Sequence, residues 1–141
     1  MTYELYYWPM LQGRGEFVRL ALEDAGAPYI DVARGGPGDE GDPPALAALL
    51  HDPSLGRPPF ALPALRDGDL VVAQTAAILL YLGPRLDLVG PSEADRIWTH
   101  QIQLTIADMV AEAHDTHHPV AAALTYEEQK PESARRAVDF R

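Results

Sequence analysis

The sequence predicts a small α/β domain over residues 1–83 followed by an all-helical region over 84–141. Short β-favouring runs alternate with helical patterns up to Gly83, whereas beyond Ser92 the apolar residues recur only at helical spacing. Composition agrees, because 47% of the residues are hydrophobic and 23% charged, the balance of a chain that folds around a core. A length of 141 residues holds one domain, or one small domain and part of a second.

Tyr3 to Trp8 is a β-favouring run closed by Pro9. A Gly-rich corner, Gln12-Gly13-Arg14-Gly15, leads into Val18, Ala21, Leu22 and Ala25, one apolar stripe at i, i+3, i+4 and i+7. Gly26 is placed to end that helix, and Tyr29 to Val32 reads as a second strand. Residues 34–44 are Gly, Pro and acid in the main, a loop composition, with Asp39, Glu40 and Asp42 on a solvated surface. Ala45 to Leu50 is a short helix, and residues 53–59 are irregular and proline-rich. Ala61 to Leu65 and Leu70 to Val72 flank Asp67-Gly68-Asp69, a hairpin signal. Thr75 to Leu82 is a compact helix stopped by Gly83-Pro84. Ser92 is an N-cap candidate with acids in the following turn, and its helix runs to about residue 117. A final helix is expected from about Tyr126 to Arg141. Its amphipathic ending has no cap, which predicts a longer helical domain than these residues contain.

Charge and composition narrow the partners. The formal charge of −10, from 21 acidic and 11 basic side chains, disfavours nucleic acid and anionic membrane surfaces, both of which require basic patches. The absence of cysteine removes dithiol redox chemistry and thiolate metal ligation. The amino terminus has no basic stretch followed by an apolar run, and no apolar run approaches the ~18 residues of a membrane helix. A cytoplasmic location is expected.

A β-α-β then β-β-α order, with a proline opening the third strand, is the thioredoxin-like layout. In it the backbone before the proline is unpaired, so Leu62 can offer N–H and C=O to an extended peptide. Eleven residues after Pro63, Gln74-Thr75 sits where a strand meets a helix, and helix amides there favour a carboxylate. An isolated threonine at a helix start is ordinarily only an N-cap. The spacing from Leu62-Pro63 through the hairpin to Gln74-Thr75 is what makes the pair informative.

The segments Ala61-Leu62-Pro63-Ala64-Leu65, Asp67-Gly68-Asp69-Leu70 and Gln74 to Gly83 resemble the glutathione-binding part of cytosolic glutathione transferases. Tyr7-Trp8-Pro9 with Gly13-Arg14-Gly15-Glu16 resembles the amino terminus of the tyrosine-type pi, mu and sigma-like classes, and a bacterial form is expected. The likeness covers residues 3–32 and 58–116 and is loose over 33–57. It implies catalytic roles for Tyr7, whose O–H would hold the glutathione sulfur as a thiolate, and for Arg14, which would orient Tyr7 or neutralise nearby charge. It implies glutathione-binding roles for Trp8, Leu62, Pro63, Gln74, Thr75 and Asp108, the last reaching across a dimer interface. Glutathione is then a co-substrate and no cofactor is implied. The partner is a small hydrophobic electrophile, and a homodimer is expected.

The chain also departs from that pattern. One extra residue lies between Tyr7 and Gly13, with Gln12 where an arginine often stands. Tyr6 competes with Tyr7, which is favoured because strand alternation groups it with Leu5. Residues 33–57 lack the usual Lys and Trp for the glycyl carboxylate, leaving Arg34 or Arg57 as substitutes. His114 and His118 share a helical face, but no zinc-motif acid accompanies them, so no metal is expected. The stripe from Trp98 to Ala113 reads as core and dimer packing. The expected activity is conjugation of glutathione to small electrophiles, and the same site suits peroxide reduction or isomerisation. The alternative is a transferase-like protein that binds ligands or docks a partner without turnover.

Overall fold

The computed structural model describes residues 2–35 and 40–140. Its first compact unit spans residues 1–97 and its second spans 98–141. The first unit contains β1 (Tyr3–Tyr6), α1 (Gly13–Asp24), β2 (Tyr29–Asp31), α2 (Pro44–Leu50), β3 (Ala64–Asp67), β4 (Leu70–Ala73) and α3 (Thr75–Leu82). The strands form one mixed sheet in the order β2-β1-β3-β4, with β1 parallel to β2 and antiparallel to β3. This is the thioredoxin-like arrangement, and the helix α4 (Glu93–Asp115) then leads into a helical carboxyl-terminal region.

Alternation along the strands sorts the core into two layers. Leu5 pairs with Leu65 on one face, where they pack with Val18 and Leu22 of α1 and Ile78 and Leu82 of α3. Tyr6 pairs with Ala64 on the other, with Ala33 and with Leu46 and Leu49 of α2. Residue 7, one step beyond β1, therefore returns to the α1 side.

Local endings follow from sequence. The Ala27 amide donates to the Leu22 carbonyl at 2.9 Å and the Gly26 amide to Glu23 at 3.0 Å, a Schellman ending for α1. In the β3–β4 hairpin Asp67 pairs with Leu70, so the loop is Gly68-Asp69, and Asp67 belongs to the strand. Only Gly68 of these takes positive φ, as a II′ turn requires. The third strand begins at Ala64, not Ala61, because the chain bends at residues 60–62 immediately before it. Asp39 lies outside the described residues, Glu40 is exposed, and Asp42 accepts a hydrogen bond from the Ala45 amide at 3.3 Å.

Ser92 caps α4 by a reciprocal box. Its Oγ accepts from the Asp95 amide at 3.1 Å, and Asp95 Oδ2 accepts from the Ser92 amide at 3.2 Å. Ser92→Ala is expected to cost about 1 kcal/mol, read as a lower denaturant midpoint at unchanged slope. No residue of α4 is buried, and Trp98, Ile102 and Met109 of the stripe read as core and dimer packing are exposed.

In the second unit a short 3-10 turn (Glu127–Gln129) runs directly into α5 (Lys130–Phe140), so the final helical segment starts beside Tyr126, as expected. Buried Gln129 fastens the connecting loop. Its Oε1 accepts from the Val120 amide at 3.0 Å, and its Nε2 donates to the Leu124 carbonyl at 3.0 Å. His114 stacks on His118 with ring centroids 5.0 Å apart.

Candidate functional site

Tyr7 is 7% exposed, and its surroundings explain the glycines that follow it. A Cβ at Gly15 would overlap the Tyr7 ring and lie 2.9 Å from its Cβ, while a Cβ at Gly13 would collide with the phenolic oxygen. The absence of side chains at 13 and 15 thus lets the start of α1 lie directly against the ring. Gly13 also takes φ of +44°, a conformation that side chains disfavour.

That close approach gives Tyr7 a defined hydrogen bond. The Arg14 amide donates to Tyr7 Oη at 3.1 Å. The phenolic oxygen is the acceptor there, so its own hydrogen is free to donate, and it meets no acceptor among the described residues. Tyr6 is differently committed. Its O–H donates to Glu4 Oε2 at 2.7 Å on the α2 face, and burial with that carboxylate pushes its pKa up to about 12.

Arg14 takes part through its backbone, while its side chain is exposed. Its carbonyl accepts a hydrogen bond from Thr75 Oγ1 at 3.1 Å. Thr75 is the first residue of α3, and its hydroxyl crosses to α1 instead of capping its own helix, contrary to the ordinary role of threonine at a helix start. Tyr7, Arg14 and Thr75 are therefore joined in one chain of contacts. Thr75→Val is expected to cost about 1 kcal/mol by removing this link, measurable by chemical unfolding.

Gln74, between β4 and α3, has φ of 70° and ψ of 120°. A non-glycine residue in this region costs on the order of 1–3 kcal/mol and commonly marks a functional position. Its carbonyl accepts from the Ile78 amide at 2.9 Å, whereas its exposed side chain makes no cap. The first amides of α3 therefore remain open to an anion.

Leu62 precedes buried Pro63 across a cis peptide bond. Because β1 ends at Tyr6, opposite Ala64, nothing in the sheet reaches Leu62. Among the described residues its N–H and C=O have no hydrogen-bond partner. An extended backbone could pair there as an added strand.

The other candidates are dispersed. Trp8 is half-exposed beside Tyr7 in sequence. Arg34 is engaged with its own fold, donating to the Pro9 and Leu11 carbonyls at 2.8 and 3.2 Å. Arg57 is exposed. Asp108 is an exposed residue of α4 in the second unit. Sequence reasoning missed Arg19, which is buried with Asp31 and lies over the Tyr7 ring at 5.6 Å. A charged residue immediately beside the Val18–Leu22 stripe was the available signal.

No family model matches the chain. A glutathione S-transferase of Plasmodium falciparum is 29% identical over 114 residues, covering 80% of this chain and 51% of the relative. The crystal structure of the glutathione S-transferase from Ascaris lumbricoides superposes with a TM-score of 0.64 at 26% identity, covering 99% of this chain and 63% of that one. A pi-class glutathione S-transferase of Onchocerca volvulus superposes with a TM-score of 0.63 at 23% identity, covering 99% and 62%. The chain thus spans about half the length of the curated relative and under two thirds of these structures. The Plasmodium falciparum and Ascaris lumbricoides proteins that this chain resembles are both glutathione S-transferases, and the Onchocerca volvulus structure agrees with it in fold.

Proposed function

We propose that this chain carries the glutathione site of a tyrosine-type glutathione transferase, and that the whole protein joins the glutathione thiolate to small hydrophobic electrophiles. The observation that carries this reading is the pairing of an unpartnered backbone at Leu62 with an open helix start at Gln74-Thr75. Leu62 would pair with the cysteinyl residue of the tripeptide, beside Pro63. The α3 amides and Thr75 would take the γ-glutamyl carboxylate, and Gln74 would add its amide. Trp8 would flank the bound peptide, and Asp108 would meet the γ-glutamyl amine from a second copy in a homodimer.

Tyr7 supplies the chemistry. Its oxygen is held by the Arg14 amide, which leaves its hydrogen to donate to the glutathione sulfur. A hydrogen bond to the thiolate favours the ionised form, the competent nucleophile. The thiol proton leaves to solvent, the sulfur forms a bond to the electrophilic carbon, and a leaving group such as halide departs with its electron pair. Holding both reactants together supplies the remaining advantage. A cytoplasmic location suits this reading, because glutathione is abundant in reducing compartments.

Calorimetry with glutathione tests the binding step. The chain should bind the tripeptide, and Gln74→Ala combined with Thr75→Val should weaken binding by about tenfold, the worth of one or two hydrogen bonds. Equal affinity in the double variant would remove the assignment of this end of the site. Binding without turnover of a generic aryl halide would favour a carrier.

A further inference from the structure

Arg19 of α1 is 4% exposed. Its Nε donates to Asp31 Oδ2 at 2.6 Å, and its Nη1 donates to Glu16 Oε2 at 3.0 Å and to the Leu11 carbonyl at 3.3 Å. Its Cζ lies 5.6 Å from the centre of the Tyr7 ring. Arg34 grips the same corner, through the carbonyls of Pro9 and Leu11. Two arginines therefore hold the short segment that follows Tyr7-Trp8.

Stability alone is a poor account of this arrangement. Burial of two ions carries a desolvation cost, and well-packed apolar residues of similar volume often serve as well or better. The network is also incomplete. Arg19 Nη2 and Asp31 Oδ1 are buried without a hydrogen-bond partner, and a half-satisfied polar network is worse for stability than an apolar one. What the pair supplies is direction. A planar guanidinium can lie over a ring while its fork holds a carbonyl and two carboxylates at fixed angles.

We propose that Arg19 is a positioning residue for Tyr7. Anchored by Asp31 and Glu16, it fixes the ring and the Pro9–Leu11 corner so that the phenolic O–H keeps one aim. The Arg14 amide holds the oxygen at the tip of the same side chain. What the O–H meets, a glutathione sulfur, rests on the function proposed above. The fixing of the ring does not.

The test uses the 141-residue chain with isotope-labelled tyrosine rings, the Tyr7 signal being identified by its loss in Tyr7→Phe. Arg19→Lys keeps a charge and loses the fork, and Arg19→Met with Asp31→Leu removes both buried charges together. Tyr7 ring flips should accelerate on the order of tenfold in the double variant and less in Arg19→Lys. Thiolate absorbance of bound glutathione at one neutral pH should fall on the order of tenfold in the double variant, while glutathione affinity changes by less than about threefold. Unchanged flips and thiolate in folded variants overturn the proposal, as does a lower melting temperature with both readouts unmoved. If the double variant does not fold, Arg19→Lys decides, and flips equal to wild type in it overturn the proposal. If the wild type binds no glutathione, the function proposed above fails while the flip rates still decide the role of Arg19.

Discussion

Tyr7→Phe is expected to lower glutathione conjugation by about 10- to 100-fold while leaving glutathione binding nearly intact. The substitution removes one hydrogen bond to a charged sulfur, worth about 1.5–3 kcal/mol. It keeps the ring that fills the space against Gly13 and Gly15, so the fold has no reason to change. Steady-state rates with glutathione and an aryl halide, beside calorimetry, separate the two effects. Tyr6→Phe is the control. Tyr6 donates to Glu4 on the opposite face of the sheet, and burial beside that carboxylate pushes its pKa up to about 12. Its removal should disturb stability more than catalysis. If Tyr6→Phe abolishes conjugation and Tyr7→Phe does not, the site has been assigned to the wrong tyrosine.

Gly15→Ala is the second large effect, and two opposing terms decide its sign. Alanine is the better helix former by about 1 kcal/mol, which alone would stabilise α1. The added Cβ, however, meets the Tyr7 ring and lies 2.9 Å from the Tyr7 Cβ, an atom fixed to the backbone. The ring cannot swing away as a flexible chain end could. Overpacking of this kind costs about 1–3 kcal/mol, or more where nothing can yield, so the clash should win. A melting temperature lower by about 5 °C or more is expected, with conjugation reduced beyond what stability explains. Gly56→Ala provides the contrast, since its new Cβ meets nothing within 4 Å and should move stability by less than about 0.5 kcal/mol. A Gly15→Ala variant as stable and active as wild type would show that α1 and Tyr7 are not in contact in solution.

Much of the first unit was legible because its signals are local. The stripe of Val18 and Leu22, the ending at Gly26, the Gly68 turn and the Ser92 cap each act over a few residues, where side-chain chemistry and backbone geometry decide the outcome. The boundaries were less legible. The third strand begins three residues later than its apolar run, because the chain bends at residues 61–62 within that run. The α4 stripe was legible as an apolar face, but periodicity identifies such a face without saying what covers it.

The order of elements, the alternation that places Tyr7 with Leu5, and the spacing that links Leu62-Pro63 to Gln74-Thr75 could all be read along the chain. Those are properties of residues near one another in the chain. Tertiary structure decided the contacts between distant segments. Thr75 bonds to Arg14 across 61 residues, Arg14 serves Tyr7 through its amide instead of its guanidinium, and Arg19 rather than Arg14 lies over the ring. A side chain's type limits which bonds it can make. Which atom comes within reach is settled only when the sheet brings the ends of β1 and β4 beside the start of α1.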